Sequence, residues 1–159
     1  MVKILIVYHS RTGHTQKMAS AIAEGVKQVK GVEVIVKSVD QTKNEDLLNT
    51  DGIIVGSPVY YGQMSGKIKT LFDKSVKIHG KLAGKVGAAF TSSGGTASGA
   101  ETTLLSILKA MLVHGMVVQG RHDDKHYGAA AVGKPNEEEI EMCQRFGKRT
   151  AELVLKLKK

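Results

Sequence analysis

The sequence is poor in cysteine and proline and has no long apolar run, and each shortage excludes a class of protein. A single cysteine, Cys143, excludes an intramolecular disulfide and any zinc cluster built on thiolates. Two prolines beside 18 glycines indicate tight turns, where the backbone comes close to something, rather than a flexible linker. No apolar run approaches the roughly 18 residues needed to cross a bilayer. Without an export-type signal, we expect a cytoplasmic protein.

The net charge of +8 allows two interpretations. A basic protein often binds nucleic acid or a membrane surface, but a lysine-rich soluble surface gives the same excess. The basic residues are spread evenly, with 11 in residues 1–80 and 12 in residues 81–159. Aromatic residues make up 4% of the chain, and none interleaves with a basic cluster as a base-stacking surface needs. We therefore predict no specific nucleic-acid partner and no membrane association.

Strand-like and helix-like segments alternate along the whole chain. Short apolar runs typical of buried strands lie at Lys3–Val7, Val32–Lys37, Gly52–Val55, Lys85–Thr91 and the start of a fifth strand at Met116–Val118. Helical periodicity fills the intervals, and it places Val76 on the apolar face of the third helix. A polar stretch, residues 119–134, separates the fifth strand from a last helix that Asn136 and Glu139 cap. The buried stripe of this last helix includes Cys143 and Leu157, so we expect an inert core thiol. The pattern predicts one α/β domain over residues 1–159, a parallel sheet with helices on both faces.

Such sheets bind ligands beyond the carboxyl ends of their strands, so the loops there are the candidate site. The first loop, residues 10–15, offers three hydroxyls, a permissive glycine and the free N–H groups of a helix start, which together predict a monophosphate site. Its members are Ser10, Arg11, Thr12, Gly13, His14 and Thr15. A hydroxyl-rich capped turn without a ligand remains the alternative.

Two further loops have the composition expected around a flat cofactor. The second loop, residues 57–66, holds two adjacent tyrosines, which either stack on a ring or, in the case of Tyr61, fasten the loop to its helix. The third loop, residues 91–99, has only small side chains, typical of backbone lying against a ring or of a floppy surface loop. The candidate residues are Pro58, Val59, Tyr60, Tyr61 and Gly62, then Ser92, Ser93, Gly94, Gly95, Thr96 and Ala97.

Three segments carry a family resemblance: VYHSRTGHTQKMASAIAEG, GSPVYYGQMSGKIKTLFD, and GAAFTSSGGTASGAETT with VHGM. The chain resembles flavodoxin-like proteins, and among them the WrbA-type NAD(P)H:quinone oxidoreductases. The resemblance implies a three-layer sandwich with a five-stranded parallel sheet of order 2-1-3-4-5. It also implies FMN, with the phosphate on residues 10–15 and the flavin ring between residues 59–61 and 92–97. NAD(P)H is the implied electron donor, a quinone-like molecule the acceptor, and a homodimer or homotetramer the assembly.

The chain departs from the WrbA-type pattern at places that bear on function. Ser38–Asp51 is shorter than the corresponding stretch of that group. In the group, the longer stretch helps the tetramer to form. The group's His-His-Gly-Met sequence becomes Val113-His114-Gly115-Met116 here, and we predict that His114 is structural. Tyr127-Gly128-Ala129 matches a family loop that closes the site.

The family contains both electron carriers and enzymes. A carrier that passes electrons to a redox partner protein is expected to place acidic residues around the ring, yet residues 57–66 and 91–100 contain no charged side chain. We therefore favour an NAD(P)H-dependent oxidoreductase that passes electrons through FMN to a quinone-like acceptor, with a flavodoxin-type carrier as the alternative. No titratable triad or metal-ligand cluster stands out on these loops, so we expect no catalytic side chain and no metal site.

Overall fold

The chain folds into a parallel sheet covered by helices on both faces, in a computed structural model that describes residues 1–158. The strands are β1 Val2–Tyr8, β2 Val32–Ser38, β3 Gly52–Pro58, β4 Val86–Ser93, β5 Val117–Val118 and β6 Ala129–Val132. The helices are α1 His14–Lys27, α2 Asn44–Leu48, α3 Gly66–Lys74, α4 Ala100–Val113 and α5 Glu137–Lys158, with 3₁₀ turns at Val39–Gln41 and Ser75–Ile78. The strand order is β2-β1-β3-β4-β5, as the resemblance implies.

The fifth position of the sheet is divided between two short strands. Both β5 and β6 pair with β4 in parallel, β5 at Val86 and Gly87 and β6 at Phe90 to Ser93. Residues 119–128 leave the sheet between them, and we call this segment the excursion. The sequence predicts the start of this strand but assigns residues 129–132 to a polar loop. That assignment is wrong, because a run of three alanines and one valine carries little of the β-branched signal that marks a strand.

The core lies in two layers because successive side chains of each strand point to opposite faces. Ile4 and Ile6 of β1 pack with α1 and α5 on one face, whereas Leu5 and Val7 pack with α3 and α4 on the other. All four are fully buried, as expected for a central parallel strand. Among residues 1–158 no helix is both long and apolar enough to span a membrane.

The last helix begins and packs largely as its sequence indicates. The Asn136 side chain accepts from the Glu139 N–H at 2.8 Å, and the Glu139 carboxylate accepts from the Asn136 N–H at 3.1 Å, which is the predicted capping box. Cys143 is fully buried, and burial followed by the charge of Glu139 raises the pKa of its thiol to about 12. The expectation of an inert core thiol is confirmed. Leu157, placed by the pattern on the buried stripe, is half exposed.

The third helix is shorter than its apolar pattern predicts. It ends at Lys74, and the chain continues as a 3₁₀ turn that rotates Val76 away from the core. Val76 is therefore 70% exposed, and its predicted place on the apolar face is wrong. The three strands β1, β3 and β4 all end at the same edge of the sheet, and the first, second and third loops follow them there.

Candidate functional site

The first loop joins β1 to α1 through a glycine at the helix N-cap. Gly13 has φ 95°, a left-handed conformation that L side chains rarely adopt, and its N–H donates to Ser10 Oγ at 3.0 Å. Because the cap residue has no side chain, no cap hydrogen bond satisfies the first-turn N–H groups of α1. His14 and Thr15 lie in that first turn, so free donors and the positive end of the helix dipole face the loop.

A buried hydroxyl pair connects the first loop to the third. Thr15 Oγ1 lies 2.8 Å from Ser92 Oγ, and both residues are buried. One hydroxyl donates to the other, which leaves lone pairs and one further O–H at the junction of α1 and β4. The pair therefore fixes the spacing between the helix start and the strand end.

The second loop is a tight turn that projects one tyrosine into solvent. Tyr60 and Gln63 exchange two backbone hydrogen bonds of 3.1 Å across the turn. Tyr61 and Gly62 occupy its corners with φ 50° and 72°, as both central residues of a type I′ turn do. Tyr61 is fully exposed, so the alternative in which it fastens the loop to its helix is wrong. An unpacked aromatic ring is left free to stack on a ligand.

The second and third loops lie directly against each other. The Val59 N–H donates to the Ser92 carbonyl at 3.0 Å. Gly99 has φ 111°, and a Cβ built on it would lie 2.8 Å from the Gly62 Cα, so only glycine fits at this contact. Gly94 and Gly95 face open space, since none of the described residues comes within 4 Å of a Cβ placed on either. The third loop thus offers bare backbone beside the exposed tyrosine.

Three residues of this edge are absent from the predicted site. His9 follows β1 directly; its Nδ1 lies 2.8 Å from Ser65 Oγ and its ring lies edge-on to Tyr60 at 6.0 Å. Ser57 Oγ in turn accepts from the Ser65 N–H at 2.8 Å. Burial, followed by the charge of Lys67, lowers the pKa of His9, so the ring is largely neutral at pH 7. The sequence feature that could have identified His9 as a site residue is its position immediately after a buried strand.

The predicted site residues therefore come together at one edge of the sheet. The first and second loops meet through His9, the first and third through Thr15, and the second and third through Gly99. Arg11 and Thr12 are exposed at the tip of the first loop. Among residues 1–158 no cluster of three or more His, Cys, Asp or Glu is arranged to hold a metal ion. The arrangement suits a phosphate ester with a flat ring.

The comparison with known proteins agrees with this geometry. Residues 5–131 match the flavodoxin domain. The chain belongs to the flavodoxin family. A flavodoxin of Aquifex aeolicus is 43% identical over 162 residues, which cover 97% of this chain and 88% of that protein. The family implies FMN binding, in agreement with the prediction from the resemblance.

Relatives with an enzyme name and a WrbA-like structure are similar as well. An NAD(P)H dehydrogenase (quinone) of Archaeoglobus fulgidus is 37% identical over 191 residues, which cover 99% of this chain and all of that protein. The crystal structure of a flavodoxin, WrbA-like protein from Agrobacterium tumefaciens superposes with a TM-score of 0.85 at 26% identity, covering 98% of this chain and 99% of that one. The predicted resemblance to WrbA-type flavodoxins is confirmed.

Other residues singled out in the sequence lie outside the three loops. His114 is buried at the end of α4, and its Nε2 lies 2.7 Å from Ser75 Oγ, which is the environment expected of a structural histidine. Tyr127 lies in the excursion and lines a cavity with Ala100 and Glu101 at the start of α4. That cavity borders the helix that follows the third loop, which is where a segment closing the site is expected.

Proposed function

We propose that the protein is an FMN-dependent oxidoreductase that takes electrons from NAD(P)H and passes them to a quinone-like acceptor. The first loop, residues 10–15, holds the FMN phosphate with its hydroxyls and the N–H groups of the α1 start. The flavin ring lies between residues 58–62 of the second loop and residues 92–97 of the third. FMN supplies the hydride chemistry, and the protein binds and orients it.

The absence of charged side chains around the ring position is the main support for the proposal. Residues 57–66 and 91–100 contain no charged side chain, and the whole chain has a net charge of +8. Negative charge on reduced FMN therefore meets no repelling carboxylate on either loop, which favours transfer of two electrons together. The same positive field attracts the phosphates of NAD(P)H to the molecule.

The protein's own groups position the ring rather than move protons. Because His9 is largely neutral, it forms a hydrogen bond with Ser65 without placing a full charge beside the second loop. The T-shaped contact with His9 then fixes the Tyr60 ring, while the exposed Tyr61 remains free to cover a ligand. Hydride transfer depends chiefly on such proximity and stacking.

A carrier that serves a redox partner protein is the second candidate, and the lengths of the two alignments favour it. The Aquifex flavodoxin aligns over 162 residues, close to the 159 of this chain. The alignment with the Archaeoglobus NAD(P)H dehydrogenase (quinone) takes 191 positions, so that protein carries residues that this chain lacks. The short Ser38–Asp51 segment lies where the WrbA-type extension was expected.

Anaerobic mixing with a reduced nicotinamide distinguishes the two. We expect NADH or NADPH to bleach the absorbance of the FMN-loaded protein rapidly, and a quinone such as benzoquinone to restore it. Dithionite reduction followed by the same quinone serves as the control, because it bypasses the nicotinamide step. FMN that stays oxidised with both nicotinamides, yet is reoxidised by quinone after dithionite, would make the protein a carrier.

We also propose a cytoplasmic homodimer or homotetramer. The groove between α3 and α4 supports self-association, because Val76 and Val113 both line it and are 70% and 72% exposed. Light scattering coupled to size exclusion gives the assembly, and replacing Val113 by aspartate is expected to shift it to the monomer. A monomer in the unsubstituted protein would refute this proposal and leave the flavin site untouched.

A further inference from the structure

A second cavity lies on the other side of the excursion, between it and α5. It has a volume of about 250 Å³ and shares no lining residue with the three loops. Its floor is apolar, formed by the buried side chains of Met142 and Phe146. Four cationic side chains surround this floor: Arg121, Lys125, Arg145 and Arg149.

Three of these cations have carboxylate partners and the fourth does not. Asp123 accepts two hydrogen bonds from Arg121. Lys125 lies 3.7 Å from Asp124, and Arg145 lies 3.8 Å from Glu141. Within residues 1–158 no carboxylate lies at salt-bridge distance from Arg149, which is partly buried. The cavity therefore holds one positive charge more than its own acids balance.

The surroundings of Arg149 make its charge costly without an anion. Its guanidinium carbon lies 6.0 Å from the centroid of the Phe146 ring, at the outer limit of a cation–π contact, so a weak attraction to the ring replaces part of its hydration. Burial, followed by the charge of Arg121, lowers the pKa of Arg149, and the more distant charge of Asp123 opposes this shift without reaching salt-bridge distance. Partly buried charges are normally paired, and Arg149 lines the cavity.

We propose that this cavity binds a small organic oxyanion, a carboxylate or phosphate group attached to a flat apolar body. The guanidinium of Arg149 has paired N–H donors, which can donate hydrogen bonds to two oxygens of such a group. Met142 and Phe146 contact the apolar body, and the volume matches a molecule about the size of a substituted benzene ring. A surface that docks a carboxylate of a partner protein needs no such apolar floor.

Titration of the isotopically labelled, FMN-loaded protein tests the site directly. Phenyl phosphate and benzoate are added separately, and the amide signals of Ala129 and Phe146, which line this cavity and not the one beside Tyr127, are followed by NMR. We expect saturable shifts there with one or both anions. Inorganic phosphate is the third arm, and it is expected to bind at least about tenfold more weakly because it lacks the apolar body.

Two methionine variants on α5 form a matched pair. Arg149→Met is expected to weaken the anion by about tenfold or more, because a charge-assisted hydrogen bond is lost. Lys148→Met removes the same charge from an exposed neighbour that does not line the cavity, and is expected to change affinity less than twofold. If Arg149→Met fails to fold, Arg149→Lys replaces it and is still expected to weaken binding more than Lys148→Met.

The possible outcomes separate this site from the flavin site. An absence of saturation with both organic anions, equal weakening by the two variants, or equal binding of inorganic phosphate would each overturn the proposal. Signals of His14 and Thr15 report the first loop in the same spectra. If FMN itself fails to bind, shifts confined to residues 129 and 146 still support the cavity, and shifts confined to 14 and 15 refute it.

Discussion

The Thr15 hydroxyl is the side chain on which both the phosphate site and the contact between loops depend. It is buried against Ser92 at 2.8 Å and lies in the first turn of α1, where a phosphate oxygen is expected. Replacing it by alanine removes one charge-assisted hydrogen bond. Thr15→Ala is expected to weaken FMN by about 1–3 kcal/mol, measured by calorimetric titration.

A conservative replacement controls for the loss of the methyl group. Thr15→Ser keeps the hydroxyl and is expected to retain most of the FMN affinity. The unfolding free energy of both FMN-free variants shows how much of any effect comes from the lost link to Ser92. Unchanged FMN affinity in Thr15→Ala would refute the assignment of the phosphate to residues 10–15.

Because of His114, the unfolding free energy of the protein is expected to decrease as the pH falls. Burial, followed by the charge of His79, lowers its pKa below the ordinary 6.5, so the unfolded chain takes up the proton first as the pH falls. Its contribution to stability is complete above about pH 6.5 and is lost as the pH falls through the folded pKa. Urea unfolding between pH 7.5 and 5 is expected to show a shallower loss of stability in His114→Gln than in the unsubstituted protein.

An exposed histidine is the control for that measurement. His122 lies in the excursion, and His122→Gln is expected to keep the pH dependence of the original chain. If His114→Gln loses stability with falling pH as steeply as the original chain, His114 is not the group responsible.

Single residues show where sequence reasoning succeeds and where it fails. Gly13 and Thr15 could be assigned because a glycine and a hydroxyl at a helix start have their own local chemistry. The position of His9 directly after a buried strand places it at the ligand edge, but its role comes from Ser65, which is 56 positions away in sequence, and from Tyr60. Contacts between loops are set by how the strands align in the sheet, and no local pattern records them.

At the scale of elements, the third loop contains glycines of two different kinds. Gly99 needs its left-handed backbone and touches Gly62, whereas Gly94 has open space around it. Gly99→Ala is therefore expected to lower the unfolding free energy of the FMN-free protein by roughly 1–3 kcal/mol. The measurement is urea denaturation followed by circular dichroism.

Gly94→Val is expected to weaken FMN binding with little effect on stability, in contrast to Gly99→Ala. It should leave the unfolding free energy of the FMN-free protein within about 0.5 kcal/mol, yet weaken FMN because the new side chain occupies space assigned to the ring. Normal FMN affinity in this variant would mean that the ring does not lie against residues 92–97.

Regular elements could be predicted because their patterns are local, and the exceptions have physical causes. The apolar runs of β1 and β3 identify buried strands, and the capping box identifies the start of α5. The second half of the split fifth strand has no such signal, since its alanines gain their strand conformation from pairing with Phe90 to Ser93 of β4. Val76 was misplaced because the 3₁₀ turn after Lys74 changes the helical period.

At the scale of the whole molecule, the net positive charge acts together with the two uncharged loops at the ligand edge. The net charge of +8 is distributed over the surface, while residues 57–66 and 91–100 carry none. Anionic ligands are therefore attracted over a distance, and the first loop is expected to hold them with hydroxyl and N–H donors beside Arg11. Raising the ionic strength from 0.02 to about 0.5 M is expected to slow FMN association more than its dissociation, measured by stopped-flow fluorescence.

The proposed function depends most on the start of α1 holding the phosphate of FMN. Fluorescence titration of the FMN-free protein with FMN and with riboflavin, which has the same ring but no phosphate, tests it directly. We expect FMN to bind at least about a hundredfold more tightly, because several N–H and hydroxyl donors meet a dianion. Equal affinity for the two flavins, or no binding of FMN, would contradict the account.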